Sequence, residues 1–446
     1  MPVILFLDKG LKRLNHAMGK VNSNIRFSIP PETQYLWFGF RVKGRGKALV
    51  SNIVPAEFKM PGVAIRTTSS VVVLTNVYPA YDNLYRNGFV HSRVRSYLDH
   101  GLDVTVVCVA DTPITKYREF EGVQVITTNV DEASALIKNN EVNSVLVHFL
   151  DPQIWRIVSN LPEDKKVRVW VHGSEVQPWW RREYNATNAD ELEKLKIASK
   201  SRVEFWRFVF DNIPENLEFV FVSQYFANEV MQDMDRVLPE GKYHIIHNPI
   251  DGQVFDYVEK GIDQRKRILS IRPYASRKYA NDISVAVVLD LAGERFFNDL
   301  EFCFIGDGPL FDEILSPLKD FPNVKCVKKF LTHEEIAQLH KEFGLLLTPT
   351  RMDAQGVSRD EGMSSGLVPL TTEVAAVPEF VDAECGFLAP FEDHKMLAEA
   401  IKKLYFNPEL FAKMSKKAAE RVRLQSGSRV ILEKELQMIG RKSVGD

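Results

Sequence analysis

The stretch GLLLTPTRMDAQGVSRDEGMSSGLVPLT, residues 344–371, holds a whole supersecondary unit. An apolar run, GLLLT (344–348), opens it and a second, LVPLT (367–371), closes it. Between them, 357–365 has the pattern of a short helix. Apolar runs separated by a helix read as parallel strands buried on both faces. The polar segment leaving the first strand is not ordinary core. It sets Asp353 and Glu361 eight positions apart with Gly356 between them, and small residues (Gly362, Ser364, Ser365, Gly366) follow.

The same alternation extends in both directions. The first set of runs is VVVLT (71–75), DVTVVCV (103–109), VQVIT (123–127), SVLVHF (144–149), VRVWV (167–171) and EFVFVS (218–223). It restarts as RILSI (267–271), LEFCFI (300–305) and NVKCV (323–327), ahead of the two quoted above. Helical patterns lie near 281–294, 309–318, 333–343 and 357–365, and 393–440 reads as helical throughout. The fold class is therefore α/β, with two doubly wound domains. Their joint falls at IIHNPIDGQVF (245–255), where Pro249 and Gly252 break both periodicities. The expected divisions are 1–69, 70–250, 251–425 and 426–446. Residues 1–69 fit neither set. QYLWFGFRVKGRGKALVSNIV reads as two strands around a turn at Gly44 and Gly46, so this part is a short β-rich extension.

The length of 446 residues corresponds to two or three domains at about 150 each. The 45% apolar and 26% charged residues are those of a soluble globular protein. A net charge of -2 gives no reason to expect nucleic acid. Residues 1–66 nevertheless carry eleven Lys and Arg against Asp8, Glu32 and Glu57. That segment suits either an anionic membrane surface or an acidic partner surface of the same protein. Cys108, Cys303, Cys326 and Cys385 have no metal-ligand spacing, and the first two sit in strand-like runs as buried thiols. The start MPVILFLDKG has an apolar run too short for a leader or a membrane span. A cytoplasmic protein is expected, with peripheral contact at the inner face of the cytoplasmic membrane as the second reading of its basic segment.

In open parallel sheets ligands sit beyond the carboxyl ends of strands, so the polar residues there are the candidates. After the first strand, a long loop ends in Asn87-Gly88 at a helix start, where a glycine admits a ligand close to the backbone or simply eases entry to the helix. VRVWVHGSE puts His172 at another strand end. ILSIRPYASRKYAND puts Arg272 at a strand end and Lys278 six residues on, with Arg277 as a competing candidate. Two cations at the mouth of a sheet suit a diphosphate. In the opening stretch, the backbone around Gly356 and Val357 begins a helix and can offer N–H groups to phosphate or sugar oxygens. Glu361 can accept from the paired hydroxyls of a ribose, and Asp353 from hydroxyls of a second ring. IGDGPL (305–310) lacks the third glycine of a dinucleotide fingerprint and reads as a strand-to-helix turn. Asp233 and Asp235 of QDMD read as solvated helix surface and NAT at Asn185 as a chance sequon; QPWWRRE, with Trp179, Trp180, Arg181 and Arg182, reads as a contact to a lipid-linked or saccharide acceptor or as ordinary packing of the two tryptophans.

Taken in order, TNVYP…NGFVHSRV, HGSE, HNPID, IRPYASRK, IGDGPL and the acid–seven–acid motif ending in VPEFV resemble the retaining glycosyltransferases of family four, over roughly residues 70–425. The usual motif has glutamate at both ends, whereas here the first is Asp353. The resemblance implies the GT-B fold, two Rossmann-like domains facing a cleft, with the C-terminal helices crossing back to the first domain. It implies transfer of a hexose from a nucleotide diphosphate sugar to a saccharide or lipid-linked saccharide acceptor with retention of configuration, as in polysaccharide biosynthesis. Arg272 and Lys278 would neutralise the diphosphate, Glu361 would hold the ribose, and Asp353 with the amides near Gly356 and Val357 would position the hexose. Gly88 would approach the diphosphate and His172 the reacting sugar. No metal or other cofactor is expected. Two further functions share the fold: a sugar-nucleotide epimerase, and a non-catalytic module that binds nucleotide sugars or glycans.

Overall fold

The computed structural model describes residues 2–20, 27–40, 67–81, 87–138 and 141–440. The chain divides into two compact units, Met1–Gly62 and Val63–Asp446. In the first, three antiparallel strands form a sheet with Pro2–Leu7 between Arg13–Met18 and Tyr35–Phe40. Ile4 and Phe6 are buried, while Trp37 is 58% exposed. The turn expected at Gly44 and Gly46 lies outside the described residues.

The second unit has two lobes, each built on a sheet. The first sheet has eight strands, in the order Tyr243–Ile245, Leu217–Phe221, Lys166–Val171, Ser144–His148, Val71–Thr75, Val104–Val109, Val123–Thr128 and Lys116–Phe120. All neighbours are parallel except the last pair. Five of these strands are buried or nearly so along their length, which is what their uninterrupted Val, Leu and Ile dictate. The edge strand Lys116–Phe120 was not read from sequence, because KYREF carries three charges and only one buried residue.

The second sheet has six parallel strands, in the order Val324–Lys328, Glu301–Gly306, Arg267–Ile271, Leu345–Leu347, Val368–Thr372 and Phe387–Ala389. Numbered along the chain, this is 3-2-1-4-5-6, the order of a doubly wound nucleotide-binding sheet. Strand order reverses between Arg267–Ile271 and Leu345–Leu347, so a crevice opens there at the carboxyl ends.

The chain crosses between the lobes twice. At the crossings the Ile250 N–H donates to Ser426 O (2.8 Å), and the Ser428 N–H to Ile250 O (2.9 Å). The last helix, Ser428–Ile439, then packs Ile431, Leu432 and Leu436 into the first lobe's core beside Val90 and Val94. Cys108, Cys303 and Cys385 are buried and Cys326 is exposed, all as free thiols.

Candidate active site

Strand ends from both lobes converge on one cleft of about 820 Å3. Arg272 follows strand Arg267–Ile271, and residues 352–358 follow strand Leu345–Leu347, so the second lobe contributes both sides of its switch point. Across from them stand Asn87, Phe89, Phe149 and His172 from the first lobe.

On the second lobe the cations gather around one ring. The Arg272 guanidinium carbon lies 5.0 Å, and the Lys278 ammonium 5.7 Å, from the Tyr279 ring centre. Arg272 is 5% exposed and donates from Nη2 to Pro349 O (3.2 Å), but its buried Nε has no partner among the described residues. Burial lowers its pKa, and nearby Asp353 opposes that. Lys278 makes no ion pair among the described residues, whereas Arg277 turns outward to Glu313 (3.4 Å). The structure thus separates the two cations that the sequence left open. The 276–279 loop is held by Arg351 N–H and Thr350 Oγ1 donating to Lys278 O (2.9 and 3.2 Å), while Arg351 pairs with Asp282 and Glu392.

The Gly306–Leu310 turn packs beneath this loop, with Arg272 N–H donating to Ile305 O and Tyr274 N–H to Asp307 O (3.0 and 2.9 Å). A Cβ at Gly306 would stand 1.9 Å from Arg272 O. The glycines serve close packing of backbone on backbone here.

Helix Val357–Ser364 starts at Gly356, whose φ of 95° falls in the left-handed region, and no side chain caps it. Its first N–H groups therefore open toward the cleft beside Asp353. A buried clamp fixes this start. Gln355, 1% exposed, accepts the Asn248 N–H at Oε1 (2.6 Å) and donates from Nε2 to Asn248 O and Asp360 Oδ2 (both 3.1 Å). Arg93, on helix Gly88–Asp99, donates to Asn248 Oδ1 (3.2 Å) and to Glu435 (2.7 Å). A chain of polar contacts thus runs from Arg93, in the second turn of helix Gly88–Asp99, through Asn248 to the start of helix Val357–Ser364.

In the first lobe, His172 lies among the rings of Phe89 and Phe149 (4.9 and 4.7 Å) and stacks on His148. His172 Nε2 is 3.0 Å from His148 Nδ1. Burial, with Arg93 nearby, pushes the His172 pKa down to about 3, so the ring is neutral near pH 7. It can share one proton in a hydrogen bond but does not bring a charge to the cleft. Below it, Glu175 accepts the His172 N–H (2.5 Å), and burial pushes its pKa up to about 7.

Six of the eight residues named from sequence line this cleft: His172, Arg272, Lys278, Asp353, Gly356 and Val357. Gly88 lies between the lining residues Asn87 and Phe89, and beyond its chain neighbours and own helix backbone no described residue comes within 4 Å of a Cβ placed on it. Glu361 does not line the wall but sits a turn inside the helix, and its carboxyl makes no hydrogen bond among the described residues. Several lining residues were not foreseen, among them Tyr184, Asn185 and Asn248, whereas Arg182 belongs to the QPWWRRE stretch read as packing or an acceptor contact. Asn185, read from sequence as a chance sequon, lines the cleft and accepts from Ser276 Oγ (2.5 Å). The solvated reading of QDMD holds for Asp235, which is exposed, and is corrected at Asp233, which is buried and holds Arg181 (3.0 Å) and the Trp180 indole N–H (3.3 Å). That correction follows from packing of the Trp179–Asn185 segment over helix Gln224–Met234, which hydropathy of the helix alone cannot reveal.

The Glu361 carboxyl makes a measurable prediction. Burial, and then Asp360, push its pKa up to about 8 from 4.5. The folded state therefore prefers the protonated form. That preference adds stability below about pH 4.5 and is lost as pH rises through about 8. Glu361→Gln should flatten the fall, gaining roughly 2–4 kcal/mol over the parent at pH 9 relative to pH 5 in urea titrations. Parallel pH profiles for the two proteins would show the carboxyl to be unstressed.

Comparison with known proteins bears on the fold. Residues 259–421 match the family model of glycosyl transferases group 1. No curated protein matches the chain. Among solved structures, sucrose-phosphate synthase from Thermosynechococcus elongatus superposes with a TM-score of 0.64 at 15% identity, over 83% of this chain and 98% of that one. The fold is GT-B. A second GT-B structure, Anabaena HepE in complex with UDP and glucose, gives 0.60 at 12% identity, over 83% and 99%. A variant of S. aureus TarM in complex with fondaparinux, α-GlcNAc-glycerol and UDP gives 0.52 at 15% identity; the match covers 70% of this chain and 59% of that one. Among the described residues of this GT-B chain, no helix is long and apolar enough to cross a membrane.

Proposed function

We propose that the protein is a retaining glycosyltransferase that moves a hexose from a nucleotide diphosphate sugar to a saccharide or lipid-linked saccharide acceptor. What carries the reading is the convergence of Arg272, Lys278 and the uncapped start at Gly356 on one crevice. The group 1 match over the lobe that holds these residues supports it.

In this reading the diphosphate lies between the two cations and the first N–H groups of helix Val357–Ser364. Asp353 accepts from hydroxyls of the transferred ring. Glu361, half-buried and without a side-chain hydrogen-bond donor among the described residues, gains one from the ribose hydroxyls, which offsets the desolvation of its carboxylate. The bond between the anomeric carbon and the diphosphate oxygen breaks, and negative charge grows on the leaving group. Fixed cations stabilise that charge in a low-dielectric site. The acceptor hydroxyl bonds to the anomeric carbon from the face the diphosphate leaves, and its proton passes to the leaving oxygen. Because Arg272 and Lys278 do the neutralising, no metal is required. His172, neutral, contributes a hydrogen bond beside the reacting sugar, and Gly88 leaves room for the diphosphate at the first lobe.

Incubation with UDP-glucose, GDP-mannose and ADP-glucose plus a saccharide acceptor tests this. Transfer with retained anomeric configuration in EDTA is expected. Epimerised nucleotide sugar, or binding without any turnover, would replace this function with one of the two others the fold serves.

A further inference from the structure

The sequence pair Arg181–Arg182 offers two arginines with nothing to tell them apart. The structure treats them differently. Arg181 is saturated: it donates to Asp233 from Nε and Nη2 (3.1 and 3.0 Å) and pairs with Glu229 (3.5 Å). Arg182 lines the cleft, and its side chain makes no hydrogen bond or ion pair among the described residues. We propose that Arg182 binds a negatively charged group on the acceptor, so that the acceptor is a phosphate- or carboxylate-bearing saccharide or alcohol. This inference rests on the glycosyl-transfer reading above.

Three observations carry it. First, Arg182 is not compensated locally. Its neighbour Arg202, which donates to Gln177 O (2.9 Å), loses pKa first to burial and then to the Arg182 charge. Two cations thus face one another where Asp233 and Glu229 are held by Arg181, and Glu175 opposes only part of the charge at Arg202. A partly buried cation without a counter-ion is costly, and a site tolerates it where a ligand supplies the anion.

Second, the side chain is presented by a fixed segment. Trp179–Asn185 is pinned at its centre by Arg181 on Asp233 and at its end by Ser276 on Asn185. A guanidinium on such a base loses little entropy in gripping an oxyanion with two parallel bonds. Third, Arg182 stands on the first lobe, whereas the cations placed for the donor, Arg272 and Lys278, stand on the second. The donor's charge is matched without it.

The test uses matched acceptor pairs: glycerol against glycerol 3-phosphate, and phenyl glucoside against phenyl glucuronide. UDP, GDP and ADP are first titrated into the parent, Arg182→Ala and Arg182→Lys. Transfer from the sugar conjugate of the nucleotide that binds is then measured. The parent should favour a charged member by about tenfold or more in kcat/KM, the yield of one charge-assisted pair. Arg182→Ala should remove that preference through KM, leaving the neutral member and nucleotide affinity within about twofold, and Arg182→Lys should keep part of it. Preference for the phosphate alone or the carboxylate alone identifies the anion. A parent that takes both members equally, or an Arg182→Ala that weakens both equally, overturns the proposal. So does an Arg182→Ala that loses nucleotide affinity, which would make Arg182 a third donor cation. A parent that binds none of the three nucleotides sinks the transfer reading, and this inference with it.

Discussion

Arg272→Met is expected to lower turnover by about 100- to 1,000-fold, the loss seen when one preorganised stabiliser of developing charge is removed. Methionine keeps the apolar length of the stem and removes the charge. The same variant should melt no lower than the parent. Arg272 holds a cation at 5% exposure with an Nε that has no partner among the described residues, so the folded protein bears a cost that an apolar side chain avoids. Loss of nucleotide binding together with an unchanged or higher Tm is the signature of a binding residue. A drop in Tm of several degrees with nucleotide binding intact would make Arg272 a structural cation instead.

Gly306→Ala should act in the opposite manner. Its new methyl would lie 1.9 Å from Arg272 O and 2.9 Å from the Tyr274 ring. The first is backbone, so no side chain can swing aside, and the strand end must shift. Overpacking of this kind costs about 3 kcal/mol or more, read as a lower urea midpoint with unchanged slope. The shift also moves Arg272, so nucleotide affinity should fall with stability. Gly88→Ala, with open space around it among the described residues, provides the contrast and should leave stability within about 0.5 kcal/mol. A Gly306→Ala protein as stable as the parent would show that the turn is not packed as tightly as these distances require.

These contrasts mark what could be read from the chain. Parallel sheets were legible because strands such as Val71–Thr75 and Val104–Val109 are buried throughout, and burial on both faces demands uninterrupted apolar side chains. Arg272, Asp353 and Gly356 were legible because the carboxyl end of a parallel strand is where a polar residue has no packing role. Sheet order was not legible, since any right-handed crossover satisfies the same local pattern. Nor were pairings that depend on distant segments. His148 lies within an apolar run, and only the neighbouring strand brings His172 to 3.0 Å from it. Arg181 and Arg182 differ only in what helix Gln224–Met234 offers them. Gln355 is an unremarkable polar residue in sequence, yet its side chain joins Asn248 to Asp360 across the lobes.

The central claim is that Arg272, Lys278 and the start of helix Val357–Ser364 hold a pyrophosphate. A crystal structure of the protein with UDP or GDP, grown in EDTA, addresses it directly. The account predicts diphosphate oxygens within hydrogen-bond reach of both cations and of the Val357 and Ser358 N–H groups, with the ribose turned toward Glu361. Nucleotide bound elsewhere, or its diphosphate pointing away from Arg272 and Lys278, would contradict the account.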